Sequence, residues 1–170
     1  MTIQNLLIPE MNFTCSASIV GFIVAGRNSG DIPHLRVQIW RKNRSSMYYQ
    51  VGQFSAHDGV CAIVGYTYLC ILQDSFQVSV QPGDILGLEL PATDSDEILF
   101  TNGGPTNYIF KHPSQLDSNT KLSLNGSSTA QQLPQIVFNL TSGKLCALII
   151  LSLYLHGYFE SMHVRNYNHP

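Results

Sequence analysis

Hydrophobic and polar residues alternate with a period of two along most of the first 141 residues, which is the pattern of half-buried β-strands. In residues 35–41, LRVQIWR, the aliphatic side chains occupy the odd positions, whereas Arg36, Gln38 and Trp40 occupy the even positions. Successive side chains of a strand point to opposite faces of its sheet. We therefore expect Arg36, Gln38 and Trp40 to share one face.

The alternating segments predict about nine short strands separated by turn residues. Residues 81–84, QPGD, have the composition of a turn, and residues 102–105, NGGP, predict a hairpin-like connection. A shift of the pattern near Gly21 predicts a bulge or bend. The predicted strands are residues 11–26, 35–41, 47–54, 61–72 (one strand or a tight pair), 76–80, 85–90, 97–101, 107–111 and 135–141.

This arrangement favours an all-β fold, an antiparallel β-sandwich or a jelly-roll-like domain, over residues 1–141. Residues 112–132 are polar and predict a loop with a short strand at KLSL, residues 121–124. Residues 142–170 form an apolar and then polar tail, interpreted as an aberrant or a short membrane-associated segment. Its apolar stretch, 145–159, is shorter than the roughly 20 residues that a membrane-spanning helix needs.

The composition of the chain narrows the classes of ligand that the protein can bind. The formal net charge is -2, and only 12% of the residues are charged. Nine Lys and Arg scattered along the chain do not make the basic surface that nucleic-acid binding requires. We therefore expect no nucleic acid among the partners.

The cysteines and the N-glycosylation motifs indicate an oxidising, glycosylating compartment. Cys61 and Cys70 can face each other in a hairpin, but a disulfide between Cys15 and Cys70 is equally allowed, and Cys146 is expected to be free. Chance predicts roughly 1.7 N-x-S/T motifs for this composition. The chain has four, at Asn12, Asn43, Asn125 and Asn139.

No motif predicts catalysis, a metal or a cofactor, so we expect a protein that is not an enzyme. Asp94, Asp96 and Glu97 form a weak candidate Ca²⁺ loop, although a solvated acidic loop explains them better. A glycan hydrolase would need two carboxylates facing each other across a cleft. The candidates for that pair are Asp84, Glu89, Asp94, Asp96 and Glu97.

Aromatic residues provide the candidate ligand site. An exposed platform of aromatic rings can stack on sugars, and Trp40 with its neighbours Arg36 and Gln38 is the predicted centre. Exposed coplanar rings around Trp40 would favour carbohydrate binding, whereas a buried Trp40 would count against it. The tyrosines considered with it are Tyr48, Tyr49, Tyr66, Tyr68 and Tyr108.

Five segments together resemble an uncharacterised extracellular β-rich module. They are LIPEMNFTCSASIVGF, VQIWR, FQVSVQPGDILGLELP, FTNGGPTNYIF and QQLPQIVFNLT. The module recurs near the N-termini of predicted cell-surface and receptor-like proteins of simple animals, and the resemblance covers about residues 7–141. It implies a disulfide-containing, surface-displayed domain and names no ligand.

The sequence predicts a non-catalytic extracellular recognition or adhesion module with a protein or glycan ligand at the cell surface. The alternatives are a lectin-like carbohydrate-binding domain and an intracellular β-scaffold. Residues 1–9 contain no signal peptide, so we expect the export signal to lie upstream of Met1. Membrane association through residues 145–159 is left open.

Overall fold

The computed structural model describes residues 3–26, 34–91, 100–112, 120–125 and 127–141. These ranges contain twelve strands, all paired antiparallel, two short 3-10 helical turns and no α-helix, which confirms the predicted all-β sandwich. The strands are β1 Ile3–Asn12, β2 Ala17–Ala25, β3 Arg36–Lys42, β4 Tyr48–Ser55, β5 Gly59–Val64, β6 Thr67–Leu72, β7 Val78–Val80, β8 Ile85–Pro91, β9 Phe100–His112, β10 Lys121–Leu122, β11 Ser128–Pro134 and β12 Ile136–Thr141.

The strands form two sheets. The larger sheet has the order β10-β4-β3-β8-β1-β9-β11, and the smaller has the order β12-β2-β6-β5, with β7 paired to the start of β2. In the pairing of β2 with β12, Ile19 and Gly21 face consecutive residues of β12, which leaves Val20 as an extra residue. The irregularity predicted near Gly21 is therefore confirmed.

The hydrophobic core lies between the two sheets. It is built from alternate side chains of each strand, as the period of two requires. The larger sheet contributes Leu6, Ile8, Val37, Ile39, Phe54, Leu86, Leu88 and Leu90, and the smaller contributes Ile19, Phe22, Val24, Tyr68, Cys70, Leu72, Val78, Val80 and Ile136.

The hairpin predicted at residues 102–105 is wrong. Residues on both sides of it belong to one 13-residue strand, β9, which pairs with β11 on both sides of this stretch, at residues 100–102 and 106–109. Gly103 has a positive φ of 79°, and the pairing jumps from Thr106 to Asn102. The glycine therefore forms a bulge that bends the strand, and the chain does not reverse there.

Two further expectations needed correction. The predicted first strand, residues 11–26, is the end of β1, a connection and β2, because Met11 and Phe13 are buried at the corner between them. Residues 128–132, part of the polar stretch predicted as a loop, belong to β11, because β9 supplies a pairing partner that sequence alone does not reveal. The short strand near residue 121 is confirmed as β10.

Cys61 and Cys70 form a disulfide between β5 and β6, where they are directly opposite each other. This excludes the alternative pair of Cys15 with Cys70. Cys15 is also disulfide-bonded, and there is no free cysteine among the described residues. Cys146 lies outside those residues.

The tail, residues 142–170, also lies outside the described ranges. Within those ranges, no helix has the length and apolar character needed to cross a bilayer. The predicted membrane association of residues 145–159 stays a prediction.

Candidate functional site

Arg36, Gln38 and Trp40 lie on the same face of β3, as predicted. This is the outer face of the larger sheet, since Val37 and Ile39 point into the core. The register with β8 places Arg36 opposite Glu89 and Gln38 opposite Gly87. Glu89 is thereby added to the three predicted residues.

A chain of polar contacts connects the four side chains. The Trp40 indole N–H donates to Gln38 Oε1 at 3.1 Å, and Gln38 Nε2 donates to Glu89 Oε2 at 3.1 Å. An Arg36 Nη1 lies 3.6 Å from Glu89 Oε1. Gly87 makes room for the indole, because a Cβ at that position would lie 2.6 Å from the indole nitrogen. We call Arg36, Gln38, Trp40 and Glu89 the polar ladder.

Solvent does not reach the Trp40 end of the polar ladder, where a platform for sugar binding was predicted. Trp40 is 0% exposed, so its ring offers no surface for a pyranose to stack on. A second apolar cluster covers this part of the outer face. It consists of Leu7, Trp40, Tyr48, Ile85 and Leu122, with Tyr108, Phe110 and Leu124 packed against it.

The tyrosines do not complete a platform either. Tyr48 and Tyr68 are buried, Tyr68 in the core between the sheets and Tyr48 in the second cluster. Tyr66 is exposed but lies on the turn between β5 and β6 in the other sheet. The buried Trp40 therefore counts against the carbohydrate-binding alternative.

Burial sets the electrostatics of the polar ladder. The pKa of Glu89 is raised because desolvation disfavours its charged form, while the Arg36 guanidinium opposes this effect. Asn5 lies opposite Glu89 on β1 and is fully buried, and no protein group in the described part of the chain bonds to its amide. Three members of the ladder, Gln38, Trp40 and Glu89, are thus buried in the sheet, and Arg36 is half-buried.

The carboxylates considered for catalysis do not form a pair in the part of the chain that is described. Arg41 binds both oxygens of Asp84, from Nε at 2.7 Å and Nη2 at 2.8 Å, and the Gln81 N–H donates to Asp84 as well. Asp84 therefore stabilises the turn before β8, and Glu89 belongs to the polar ladder. Asp94, Asp96 and Glu97 lie outside the described residues, where the Ca²⁺ prediction stays untested. Elsewhere, no three possible metal ligands cluster.

The outer face of the smaller sheet has a different character. Gly65 has a positive φ of 63° and starts a two-residue turn between Val64 and Thr67, which is the glycine position of a type II′ hairpin turn. From this turn, alternate residues of β5 and β6 point away from the core. On this outer face lie Val60, Ala62 and Val64 of β5, Leu69 and Ile71 of β6, and Ile23 of β2.

These side chains are exposed and apolar, and we call them the hairpin face. Val60 is 74% exposed, Ile71 69% and Val64 62%, and Tyr66 projects from the turn with 58% exposed. No Asp, Glu, Lys or Arg occurs in residues 59–73. The Cys61–Cys70 disulfide joins the two strands from the inner side. The sequence analysis recognised the strands here but missed the surface. The uncharged run of residues 59–73 was the available signal.

The four predicted glycosylation sites differ in accessibility. Asn125 and Asn139 are exposed, and Asn139 lies on the edge strand β12. Asn43 is half-buried in the turn after β3, where its side-chain oxygen accepts hydrogen bonds from the N–H groups of Ser45 and Met47. Asn12 Nδ2 donates to the Pro9 carbonyl at 3.4 Å. Asn125 and Asn139 are therefore the sites with the most accessible amides.

Comparisons of the chain with protein-family models, with curated proteins and with solved structures give no match. The resemblance to a surface module of simple animals stays a prediction.

Proposed function

We propose that this domain is a non-catalytic recognition or adhesion module that binds a protein partner at the cell surface through the hairpin face. The observation that carries the proposal is the exposure of the six aliphatic side chains of the hairpin face, on one side of a sheet whose edge hairpin is disulfide-bonded. Contiguous exposed apolar patches on soluble proteins mark interaction sites.

The disulfide supports the proposal in two ways. It holds β5 and β6 in one geometry, so a partner would not have to order this surface on binding. It also fits an extracellular environment, because disulfides persist in oxidising compartments and are rare in the cytosol. This second point favours an extracellular module over the intracellular scaffold.

The alternative of carbohydrate binding has less support. Its predicted centre, Trp40, is buried, and the hairpin face is aliphatic apart from Tyr66 at the turn. Aliphatic side chains provide area for a protein partner but no ring faces and no hydrogen bonds for a sugar. A protein ligand therefore fits the hairpin face better than a glycan.

The test is binding of the glycosylated protein to cells. The full chain is secreted from cultured animal cells behind an added signal peptide, multimerised on a fluorescent scaffold and incubated with such cells. The variant Val60→Lys/Ile71→Lys places two charges on the hairpin face at exposed positions. The matched control is Ser79→Lys, an exposed residue of β7 in the same sheet.

We expect wild type and Ser79→Lys to bind equally, and the double variant to lose most of its binding because a partner would have to desolvate two ammonium groups. Equal binding by the double variant would show that the hairpin face is not the recognition surface. Absence of binding by wild type would refute the adhesion function on these cells.

A further inference from the structure

The sheet edges in the described part of the chain are protected unequally. An edge strand presents unpaired backbone groups, and proteins protect such edges with short strands, charges, prolines or bulges. β7 and β10 have only three and two residues. β11 has a register shift and ends at Pro134. β12 has a register shift and the exposed Asn139 glycosylation motif.

β5 has none of these protections. It is a six-residue strand, GVCAIV, without charge, proline or register shift, at the end of its sheet. Hydrogen-bonded and non-hydrogen-bonded pairs alternate in an antiparallel ladder, starting from the bonded pair next to a two-residue turn. Counting from Val64, the backbone N–H and C=O groups of Cys61 and Ile63 point away from β6 and along the open edge.

We propose that β5, the edge strand beside the hairpin face, pairs with β5 of a second copy of this chain, antiparallel about a two-fold axis at Ala62. This inference goes beyond the proposed function, because the pairing uses the edge of the hairpin and leaves the hairpin face open to the cell-surface partner. The two small sheets would become one continuous sheet, with their hairpin faces side by side.

The strand is complementary to itself in this register. Cys61 of one copy is opposite Ile63 of the other, so the outward backbone groups of both residues pair. On the hairpin face Val60 is opposite Val64, and Ala62 is opposite its own copy in a non-hydrogen-bonded pair. Side chains in such pairs are in direct contact, and only small or aliphatic groups meet.

The absence of charge on this strand also favours pairing of two identical edges. Residues 59–73 contain no charged side chain, so two identical edges approach without like-charge repulsion. A basic or acidic partner would find no opposite charge there. Because pairing about a two-fold axis uses the β5 edge of both chains, it closes at a dimer.

The Asn139 motif fits the same geometry. Asn139 lies opposite Gly21, and Gly21 lies opposite Ile71, so Asn139 is on the hairpin-face side at the far edge of the sheet. A glycan on Asn139 would cover the β12 side and leave the β5 side open. Two copies would then associate through their β5 edges and not through their β12 edges.

The test uses charge at the proposed axis. In Ala62→Lys or Ala62→Glu, two like charges would face each other directly across the dimer, whereas a mixture of the two variants would place opposite charges there. Ala62 is exposed, so both substitutions are compatible with the fold. Sedimentation velocity and equilibrium of the secreted full chain measure the association, with Ser79→Lys as the control.

We expect wild type and Ser79→Lys to form a species of twice the 18.9 kDa chain mass, plus any glycan. Each Ala62 variant alone should dissociate at least about tenfold more readily, because like charges placed opposite each other destabilise an interface. The equimolar mixture should recover the dimer. This recovery distinguishes pairing at Ala62 from a general loss of structure.

A monomeric wild type, larger open-ended aggregates or a mixture that stays monomeric would each overturn the second-copy inference. The outcome is separable from the proposed function. A wild type that binds cells but stays monomeric refutes self-pairing only. A wild type that dimerises but binds no cells retains the dimer and refutes the recognition function.

Discussion

The outer faces of the two sheets differ in what covers them. The larger sheet has side-chain packing on both sides, with Trp40 and its apolar neighbours over the outer face and the polar ladder beside them. The smaller sheet has its core on the inner face, and in the described part of the chain its outer face leaves Val60 and Ile71 mostly exposed. Apolar residues on the outer face of the larger sheet are therefore buried and stabilise the fold, whereas those on the outer face of the smaller sheet are exposed to solvent.

This difference in burial is the opposite of what the sequence analysis predicted for the ligand site. Trp40, Arg36 and Gln38 were the predicted ligand site, yet Trp40 and Gln38 are fully buried and Arg36 is half-buried. The uncharged, largely aliphatic residues 59–73, in which no site was predicted, provide the exposed surface. Residue type alone did not distinguish the two roles, because both segments have the alternating pattern of a strand.

The largest difference between the two outer faces is expected when one aromatic residue of each is truncated. We expect Trp40→Ala to lower the free energy of unfolding by about 3–5 kcal/mol, because it leaves a large cavity. The loss also removes the hydrogen bond to Gln38. Denaturant unfolding of the secreted protein measures the change.

Tyr66→Ala is the matched control on the hairpin turn, where the ring is mostly exposed. We expect it to change stability by less than about 0.5 kcal/mol. Similar losses in both variants would mean that the two aromatic residues are equally packed, and the contrast between the two outer surfaces would be wrong.

Removing the disulfide of the hairpin is expected to lower the free energy of unfolding by a smaller amount. Cys61→Ser/Cys70→Ser opens a link between residues nine positions apart, and closure of a loop of this length stabilises a protein by about 2–3 kcal/mol in the chain-entropy account. Thermal and denaturant unfolding measure the loss.

Reduction of wild type serves as the comparison, because it also opens the disulfide of Cys15. It should destabilise the domain at least as much as the double variant does. An unchanged stability in the double variant would show that strand pairing and the glycine turn hold the hairpin without the covalent link.

The smallest effect concerns pH and the polar ladder. Because burial raises the pKa of Glu89 above its ordinary 4.5, the native state retains a proton that the unfolded chain releases. The free energy of unfolding from this group therefore falls as pH rises from 4.5 through the raised native pKa, and it is then constant. Glu89→Gln should remove this fall.

Unfolding measured between about pH 4 and pH 8 tests the prediction. The control is Glu10→Gln, since Glu10 is exposed on β1, and it should retain the wild-type pH dependence. A wild-type stability that rises over the window starting at 4.5 would mean that Arg36 outweighs burial at Glu89.

Local sequence determined much of the fold. The period of two identified the all-β class, and the turn at residues 81–84 followed from proline and glycine, with Gly83 at a positive φ of 88°. The shared face of Arg36, Gln38 and Trp40 was also predictable. These features depend on backbone geometry within a few residues, so a single stretch of sequence contains the information.

Pairing between distant strands was not predictable in the same way. The NGGP stretch was interpreted as a turn, but β11 pairs on both sides of it and converts the glycine into a bulge. Residues 128–132 are mostly polar and were predicted as a loop, yet they pair with β9 and form part of β11. Which strand lies beside another depends on contacts far apart in sequence, and a local pattern does not encode that.

The sequence by itself determined that the chain folds as a β-sandwich, because alternation fixes which side chains can be buried together. It also supplied the cysteines and the aromatic residues. Within the described ranges, the tertiary structure decided which outer face is covered, which two cysteines pair with each other and which strand forms the open edge of the smaller sheet. Those properties arise where strands distant in sequence meet, and burial at each position is set by the neighbours that the fold brings there.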